Sequence, residues 1–295
     1  MKNTIFKGAA VALITPMHAD GSINFEKLNE LVDFQINNNT DAIVVCGTTG
    51  EASTLTEEEH VDAIKAVINH TAGRVPVIAG TGSNDTAFAV ELSQEAASLG
   101  ADGLLCVTPY YNKTSQAGLI AHFTKIADAS DCPVILYNVP SRTGTAFQSE
   151  TYAVLADHKN IVGIKEANAN LSMMAKTIAL CGDKVDVYSG NDDEVIPCLS
   201  LGGSGVISVL SNVLPQQVHD MCFNYFNGDT ESARLIQLKY IDLINALFSD
   251  VNPIPVKEAM NIMGFDVGEC RLPLVPMSEG AREKLKAEML KAKII

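Results

Sequence analysis

The sequence predicts a (β/α)8 barrel, the TIM-barrel fold, followed by a small helical C-terminal region. Three observations lead to this prediction: apolar runs of strand length recur eight times, amphipathic segments separate them, and no stretch carries strands alone. Strands that alternate with helices pair in parallel through right-handed crossovers. A repeat of about 20–33 residues over eight such units is typical of a barrel.

The eight strand-like segments are short, apolar and flanked by turn residues, as expected of buried parallel strands. They are Ala9–Ile14, Ala42–Cys46, Val75–Ala79, Gly103–Val107, Val134–Tyr137, Ile161–Ile164, Val185–Tyr188 and Gly205–Val209. An open doubly wound sheet is the alternative. It would carry a G-x-G-x-x-G sequence after the first strand, and the segment 14–18 offers none.

The gaps between these strands carry helix start and stop signals. Thr56 and Glu59 have the spacing of a capping box, with further acidic residues in the first turn. The other signals are Asn84 ahead of a helix over Asp85–Leu99 that Gly100 ends, Ser149 at the start of another, and Pro215 in a first helical turn.

Strand signals cease after about Gly228, and three helices are predicted beyond it, over Asp229–Phe248, Pro255–Met263 and Ser278–Lys293. We therefore expect a barrel domain of residues 1–228 and a C-terminal helical domain of residues 229–295. No low-complexity linker separates them, so the helices are expected to pack on the barrel.

Composition limits the partners and the compartment. The chain has 35 acidic and 21 basic residues, a net charge of −14, which argues against binding to nucleic acid or to anionic membranes. No window approaches the roughly 20 apolar residues of a membrane span. Seven scattered cysteines without a C-x-x-C pair fit a reducing compartment, with Cys46, Cys106 and Cys132 expected to be buried.

The N-terminal apolar stretch, residues 8–15, lacks a signal-peptide cleavage site and is interpreted as the first strand. The predicted location is therefore the cytoplasm.

Lys165 is the most informative residue, because it ends the apolar run Asn160–Ile164. An unpaired ammonium is costly to bury, so such a lysine tends to become a neutral amine, which can attack a ketone and form a Schiff base. The alternative is a lysine that reaches solvent or pairs with a carboxylate. Glu166 is not the obvious partner, because successive strand residues point to opposite faces.

Other polar residues also follow strand ends, where barrel enzymes carry their catalytic groups. Singly, a tight turn, a packed tyrosine or a solvated arginine explains each of them, but their convergence on one rim predicts an active site. The segments that follow strands are Gly47–Glu51, Thr108–Asn112, Tyr137–Gly144 and Ser189–Asp192, and Gly202–Gly205 precedes the eighth strand.

No metal is predicted at this site. The six histidines lack ligand spacing. The acidic run Asp192–Glu194 is more typical of a first helical turn capped by Asn191 or Asp192 than of a metal cluster.

Three motifs carry a resemblance to a known family. Gly47–Glu51, Tyr137–Pro140 and Gly163–Glu166 resemble the pyruvate-dependent class I aldolase superfamily of N-acetylneuraminate lyase and dihydrodipicolinate synthase. The resemblance covers essentially the whole chain, including the helical tail. Ser141–Gly144 and Asn252–Lys257 are similar to the synthase branch.

The resemblance implies an enzyme that needs no metal or organic cofactor. Lys165 would hold pyruvate as an imine, and the derived enamine would attack L-aspartate 4-semialdehyde. Tyr137, Thr49 and Tyr111 would form a proton relay, since hydroxyls both donate and accept. The second tyrosine comes from a neighbouring subunit in this family, so a homotetramer, a dimer of dimers, is expected.

The resemblance also implies binding residues. The backbone of Thr48 and Thr49 would bind the pyruvate carboxylate, and Arg142 would grip that of the second substrate. Gly190 and Ile207 match backbone positions that line the pyruvate pocket.

Many members bind lysine as an inhibitor, and this chain departs from their site. Phe88 stands where they carry a carboxylate, and Glu57 where some carry a histidine, so weak or absent lysine inhibition is predicted. The positions that fit the lysine site are Ala52, Ser53, His60, Asn84 and Tyr110.

Two alternatives are weaker. An N-acetylneuraminate or 2-keto-3-deoxy-sugar-acid lyase would need polyol contacts in place of Arg142. A non-catalytic barrel that binds a keto acid would be expected to lose the relay, yet Tyr137, Thr49 and Lys165 are all present.

Overall fold

A computed structural model describes residues 2–295 and confirms the predicted (β/α)8 barrel. Eight parallel strands close in chain order, with the first paired to the last. Every observed strand end lies within two residues of its predicted position. The strands are β1 (Gly8–Ala12), β2 (Ala42–Val45), β3 (Val77–Gly80), β4 (Gly103–Val107), β5 (Val134–Asn138), β6 (Ile161–Glu166), β7 (Asp186–Ser189) and β8 (Gly205–Ser208).

Helices follow each strand and continue beyond the last one. They are α1 (Phe25–Asn37), α2 (Glu57–Thr71), α3 (Thr86–Ser98), α4 (Gln116–Asp128), α5 (Pro140–Thr143), α6 (Ser149–Leu155), α7 (Leu171–Cys181), α8 (Val195–Ser200), α9 (Pro215–Phe226), α10 (Thr230–Lys239), α11 (Ile241–Leu247), α12 (Ile254–Ile262) and α13 (Glu279–Lys291). Short 3-10 helices lie at Ala52–Thr54, Asp192–Glu194 and Leu210–Asn212.

The capping box of Thr56 and Glu59 at α2 is confirmed, with both reciprocal hydrogen bonds present, and Pro215 opens α9 as predicted. At α3 the cap is Asp85 rather than Asn84, because the Asp85 carboxylate is the group that reaches the N–H of Ala87, at 2.9 Å. Ser149 is the first residue of α6, but its hydroxyl donates to a carbonyl of α7 instead of capping the helix.

The single helix predicted over residues 229–248 is wrong. The chain leaves helical geometry at Tyr240, and two helices, α10 and α11, flank it. The bend buries the Tyr240 ring and lets α11 bury Leu243, Ile244 and Leu247 in the core. Helix α13 packs on α11 and α12. The division into domains of residues 1–228 and 229–295 stays a prediction.

Alternation along the strands creates two cores, one inside the barrel and one between the barrel and its helices. On β5, Ile135 and Tyr137 point inward while Val134 and Leu136 point outward. All seven cysteines are free, and Cys46, Cys106 and Cys132 are buried as predicted. Among residues 2–295 no helix is long and apolar enough to cross a membrane.

Candidate active site

Lys165 lies inside the barrel near the carboxyl end of β6, directly opposite Tyr137 of β5 in the strand register. Its side chain is buried, and Nζ lies 4.4 Å from the centroid of the Tyr137 ring. Burial lowers the pKa of Lys165 to about 8, although the charge of Asp192 opposes the shift. Roughly a tenth of the amine is therefore neutral, and able to attack a carbonyl, at pH 7, far more than at the ordinary lysine pKa of 10.5.

The Tyr137 phenol lines one cavity with Thr48, whose hydrogen bond acts on the pKa of the phenol. Burial raises the pKa of Tyr137, while the Arg142 charge and the Thr48 hydrogen bond act in the opposite direction. The phenol is consequently protonated at neutral pH. It can donate a proton and recover one through Thr48, which is the behaviour required of a relay.

Thr49 points elsewhere. Its buried hydroxyl accepts a hydrogen bond from Asn252 Nδ2 at 2.9 Å, on the side of the C-terminal region. This bond leaves the Thr49 hydroxyl able to donate, so the relay through Thr49 stays a prediction, with Thr48, whose hydrogen bond acts on the pKa of Tyr137, as a second candidate.

The turn that carries these threonines leaves backbone donors open. Gly50 and Glu51 donate their N–H groups to the carbonyls of Gly47 and Thr48, each at 3.1 Å. Within residues 2–295 the N–H groups of Thr48 and Thr49 have no acceptor. Two such donors side by side suit a carboxylate.

Three further predicted residues surround this centre. Arg142, on the short helix α5, lines one cavity with Thr48 and Tyr137, and its Nη2 donates to the carbonyl of Asn252 at 3.1 Å. A Cβ on Gly190 would lie 2.7 Å from the Ala167 Cβ and 3.1 Å from Lys165 Cε, so glycine fits here where a larger residue would displace its neighbours. Ile207 is fully buried in the same interior core as Tyr137.

Tyr111 does not join this cluster within its own chain. Its side chain is 91% exposed, and its backbone lies in the left-handed region with φ of 68°. Non-glycine residues seldom adopt that conformation without a reason. The structure thus presents the ring outward, away from Lys165 of its own subunit.

The cavity beside Tyr137 has a volume of about 330 Å³ and extends toward the predicted lysine site. Ala52, Ser53, His60, Phe88 and Tyr110 line it, as the resemblance implies. His60 is neutral, because burial lowers its pKa, and its Nε2 lies 2.7 Å from the carbonyl of Gly80.

Two residues of the predicted lysine site do not line this cavity. Glu57 is exposed in the first turn of α2, and Asn84 is occupied through its carbonyl, which accepts from Asn112 Nδ2 at 2.9 Å.

Glu166 faces away from Lys165, as alternation predicted. It is buried outside the barrel, where Asn138 Nδ2, the Tyr152 hydroxyl and the N–H of Asn168 donate to it. Burial raises the pKa of Glu166 to about 7.

The predicted helix cap at residues 191–194 takes another form. Asp192 is fully buried and accepts hydrogen bonds from the Ser208 hydroxyl and from the N–H groups of Val209 and Leu210. It therefore caps the 3-10 helix after β8, not its own helix. Among residues 2–295 no group of three or more acidic, histidine or cysteine side chains could hold a metal ion.

A second buried lysine was missed from the sequence. Lys257 of α12 is 1% exposed, and its Nζ donates to Glu51 Oε1 at 2.8 Å and to the carbonyl of Glu269 at 2.7 Å. Glu51 Oε2 also accepts from the N–H of Arg271 at 2.8 Å. The only sequence signal for its burial is its place within an apolar helical stretch.

The chain is similar to known proteins over almost its whole length. The sequence model of the dihydrodipicolinate synthetase family matches residues 5–293. The 4-hydroxy-tetrahydrodipicolinate synthase of Caldicellulosiruptor bescii is 56% identical over 287 residues, which cover 97% of each chain.

Two solved structures are similar over almost their whole length. The chloride-inhibited dihydrodipicolinate synthase of Acinetobacter baumannii, complexed with pyruvate, has a TM-score of 0.97 at 44% identity, covering 99% of this chain and 100% of that one. The lysine-bound enzyme of Cyanidioschyzon merolae has a TM-score of 0.97 at 39% identity, with the same coverage. These matches confirm the resemblance inferred from the three motifs and the prediction of an enzyme.

Proposed function

Since the chain belongs to the dihydrodipicolinate synthetase family, we propose that it condenses pyruvate with L-aspartate 4-semialdehyde to 4-hydroxy-tetrahydrodipicolinate, in diaminopimelate and lysine biosynthesis. The observation that carries the proposal is Lys165, an amine held inside the barrel with its pKa lowered to about 8 by burial. Its Nζ lies over the ring of Tyr137, which lines one cavity with Thr48 and Arg142.

The reaction begins when the neutral amine of Lys165 attacks the keto carbon of pyruvate. The keto oxygen takes protons supplied by way of Tyr137 and leaves as water, and the nitrogen remains as a protonated imine. The Thr48 and Thr49 N–H groups bind the pyruvate carboxylate. Thr49 is the second member of the relay, with Thr48, whose hydrogen bond acts on the pKa of Tyr137, as the other candidate.

The iminium then withdraws electrons, and the methyl group of the bound pyruvate loses a proton to give an enamine. The enamine carbon attacks the aldehyde carbon of the second substrate, and the new alkoxide takes a proton to become the 4-hydroxyl. The substrate's own amino group finally attacks the imine carbon, closes the ring and displaces Lys165. One water is released in the whole sequence, and no cofactor is required.

Arg142 binds the carboxylate of L-aspartate 4-semialdehyde, a task for which the planar guanidinium is suited. Gly190 leaves space for the imine, and Ile207 forms part of the pyruvate pocket wall. A sugar-acid lyase would present hydroxyl-binding groups where Arg142 lies, so the arginine supports the synthase over that alternative.

Tyr111 acts in the site of a neighbouring subunit. Its 91% exposure supports this role, because an aromatic ring held outward on a left-handed backbone is available to another chain. The assembly is a homotetramer built as a dimer of dimers. The acidic net charge of −14 supports a cytoplasmic enzyme that binds neither nucleic acid nor membranes.

Lysine inhibits this enzyme weakly or not at all. The cavity wall offers Phe88 and a neutral His60, and neither can pair with an ammonium as a carboxylate does. Phe88→Glu should therefore introduce measurable lysine inhibition. Strong inhibition of the unaltered protein by lysine would contradict this point and leave the catalytic proposal untouched.

The decisive experiment treats the protein with pyruvate and borohydride and measures its intact mass, beside Lys165→Ala. We expect one reduced adduct on Lys165 that the variant lacks, together with turnover of L-aspartate 4-semialdehyde by the unaltered protein. A folded protein without an adduct would refute imine chemistry. An adduct without turnover of this aldehyde would leave the imine in place and refute the synthase assignment.

A further inference from the structure

The loop of Thr48 and Thr49 is held from outside the barrel, by the C-terminal region. Three hydrogen bonds join the loop to the C-terminal region. Asn252 Nδ2 donates to the Thr49 hydroxyl, and Lys257 Nζ and the Arg271 N–H donate to the Glu51 carboxylate. The loop needs such support, since Cys46 and Glu51 at its two ends have φ of 54° and 57°, in the left-handed region. Non-glycine residues stay there only when their surroundings hold them.

Asn252 differs from the other two contacts because it touches both predicted carboxylate-binding elements at once. Its side-chain amide holds the Thr49 hydroxyl at 2.9 Å, and its backbone carbonyl accepts from Arg142 Nη2 at 3.1 Å. The residue is buried, so solvent does not replace these bonds easily. One residue thereby sets the distance between the loop and the guanidinium.

We propose that Asn252 is a positioning residue that fixes the spacing between the Thr48–Thr49 carboxylate site and the Arg142 carboxylate site. The inference rests on the proposed function, in which these two sites hold the two substrates. Condensation requires the enamine carbon and the aldehyde carbon to come within bonding distance. The distance between the two carboxylate-binding sites therefore governs how often the two carbons reach that geometry. Asn252 itself touches neither reacting carbon and acts through Thr49 and Arg142.

The test compares Asn252→Ala with Asn261→Ala. Asn261 lies on α12, the helix that begins just after Asn252, but its amide bonds only Gly268 and Val267, inside the C-terminal region. Asn252→Ala removes the bond to Thr49 but keeps the backbone carbonyl that accepts from Arg142. We expect it to raise the KM of pyruvate and to lower kcat/KM by about ten- to a hundredfold. The borohydride adduct at saturating pyruvate should persist. Asn261→Ala should lower the melting temperature and leave both KM values unchanged.

Asn252→Asp provides a second variant of the same shape, should the alanine variant not fold. Its carboxylate can still accept from the Thr49 hydroxyl, but it adds negative charge beside a site for anions, so the KM of pyruvate should rise. Wild-type KM values in both Asn252 variants, with only a lowered melting temperature, would overturn the positioning role. Absence of an adduct from the unaltered protein would instead refute the proposed function.

Discussion

The chain buries two lysines in two different regions, and they behave differently. Lys165, inside the barrel, is 6% exposed, and among residues 2–295 no acceptor takes a hydrogen bond from its Nζ. Lys257, at the seam between barrel and C-terminal helices, is 1% exposed and bonded to a carboxylate and a carbonyl. Burial alone therefore does not identify a nucleophile. An amine becomes reactive where burial is combined with the absence of a carboxylate bonded to its nitrogen.

The largest expected effect separates the two lysines by chemistry. Lys165→Ala should abolish the pyruvate adduct and lower turnover by at least about 10³-fold, as for other covalent nucleophiles. The folded fraction of Lys257→Ala should still form the adduct, which mass spectrometry after borohydride treatment can show. An adduct on Lys257 in the unaltered protein would show that this lysine is also a nucleophile and would contradict the difference between the two lysines.

The second effect concerns stability. Lys257→Met leaves the Glu51 carboxylate buried without its partner and should lower the free energy of unfolding by about 3–5 kcal/mol, measured by urea denaturation. The double variant Lys257→Met with Glu51→Gln removes both charges and should recover most of that loss. A single variant as stable as the unaltered protein would show that the pair adds no net stability.

Removal of the buried amine of Lys165, in contrast, is expected to raise the free energy of unfolding. The folded pKa of Lys165 is lowered to about 8 from 10.5. The unfolded chain thus binds more protons between these values, and stability rises with pH across that window.

At pH 7 the buried amine costs up to about 3 kcal/mol, at 1.36 kcal/mol for each pKa unit. Lys165→Met should therefore be more stable than the unaltered protein at pH 7, and its advantage should fade as the pH rises from 8 to 10.5. Asp192, whose charge favours the ammonium, reduces the gain. A destabilised Lys165→Met variant would show that this attraction outweighs the burial cost.

The smallest effect is kinetic. Because only the neutral amine attacks, the rate of imine formation should rise about tenfold per pH unit below pH 8 and level off above it. Rapid-mixing measurements with pyruvate between pH 6 and 9 test this profile. A flat profile across that range would mean that the amine is already neutral throughout.

Much of the fold was predictable because buried parallel strands appear as apolar runs bounded by turns. The same pattern identified Lys165 as an exception within such a run. Strand alternation correctly separated it from Glu166, whose partners are Asn138 and Tyr152. These predictions needed only local sequence and the periodicity of a strand.

Contacts between distant parts of the chain were not predictable in this way. Which of Thr48 and Thr49 lies toward Tyr137 depends on how the turn is rotated, and one contact that holds the turn comes from Asn252, 203 positions away. Helical periodicity continued smoothly through Tyr240, although burial of its ring bends the chain there. Lys257 stands in an apolar helical stretch, but its partner Glu51, 206 positions away, could not be identified from the sequence.

The hydrogen bonds that hold the Thr48–Thr49 loop also have a consequence for folding during translation. Glu51 and Lys257 are 206 positions apart, and Arg271 lies still further along. Ribosomes add about 5–20 residues per second, so the loop emerges many seconds before the residues that complete it. A nascent barrel exposes an unpaired carboxylate at its rim through that interval. The substrate site is therefore among the last parts of the protein to mature.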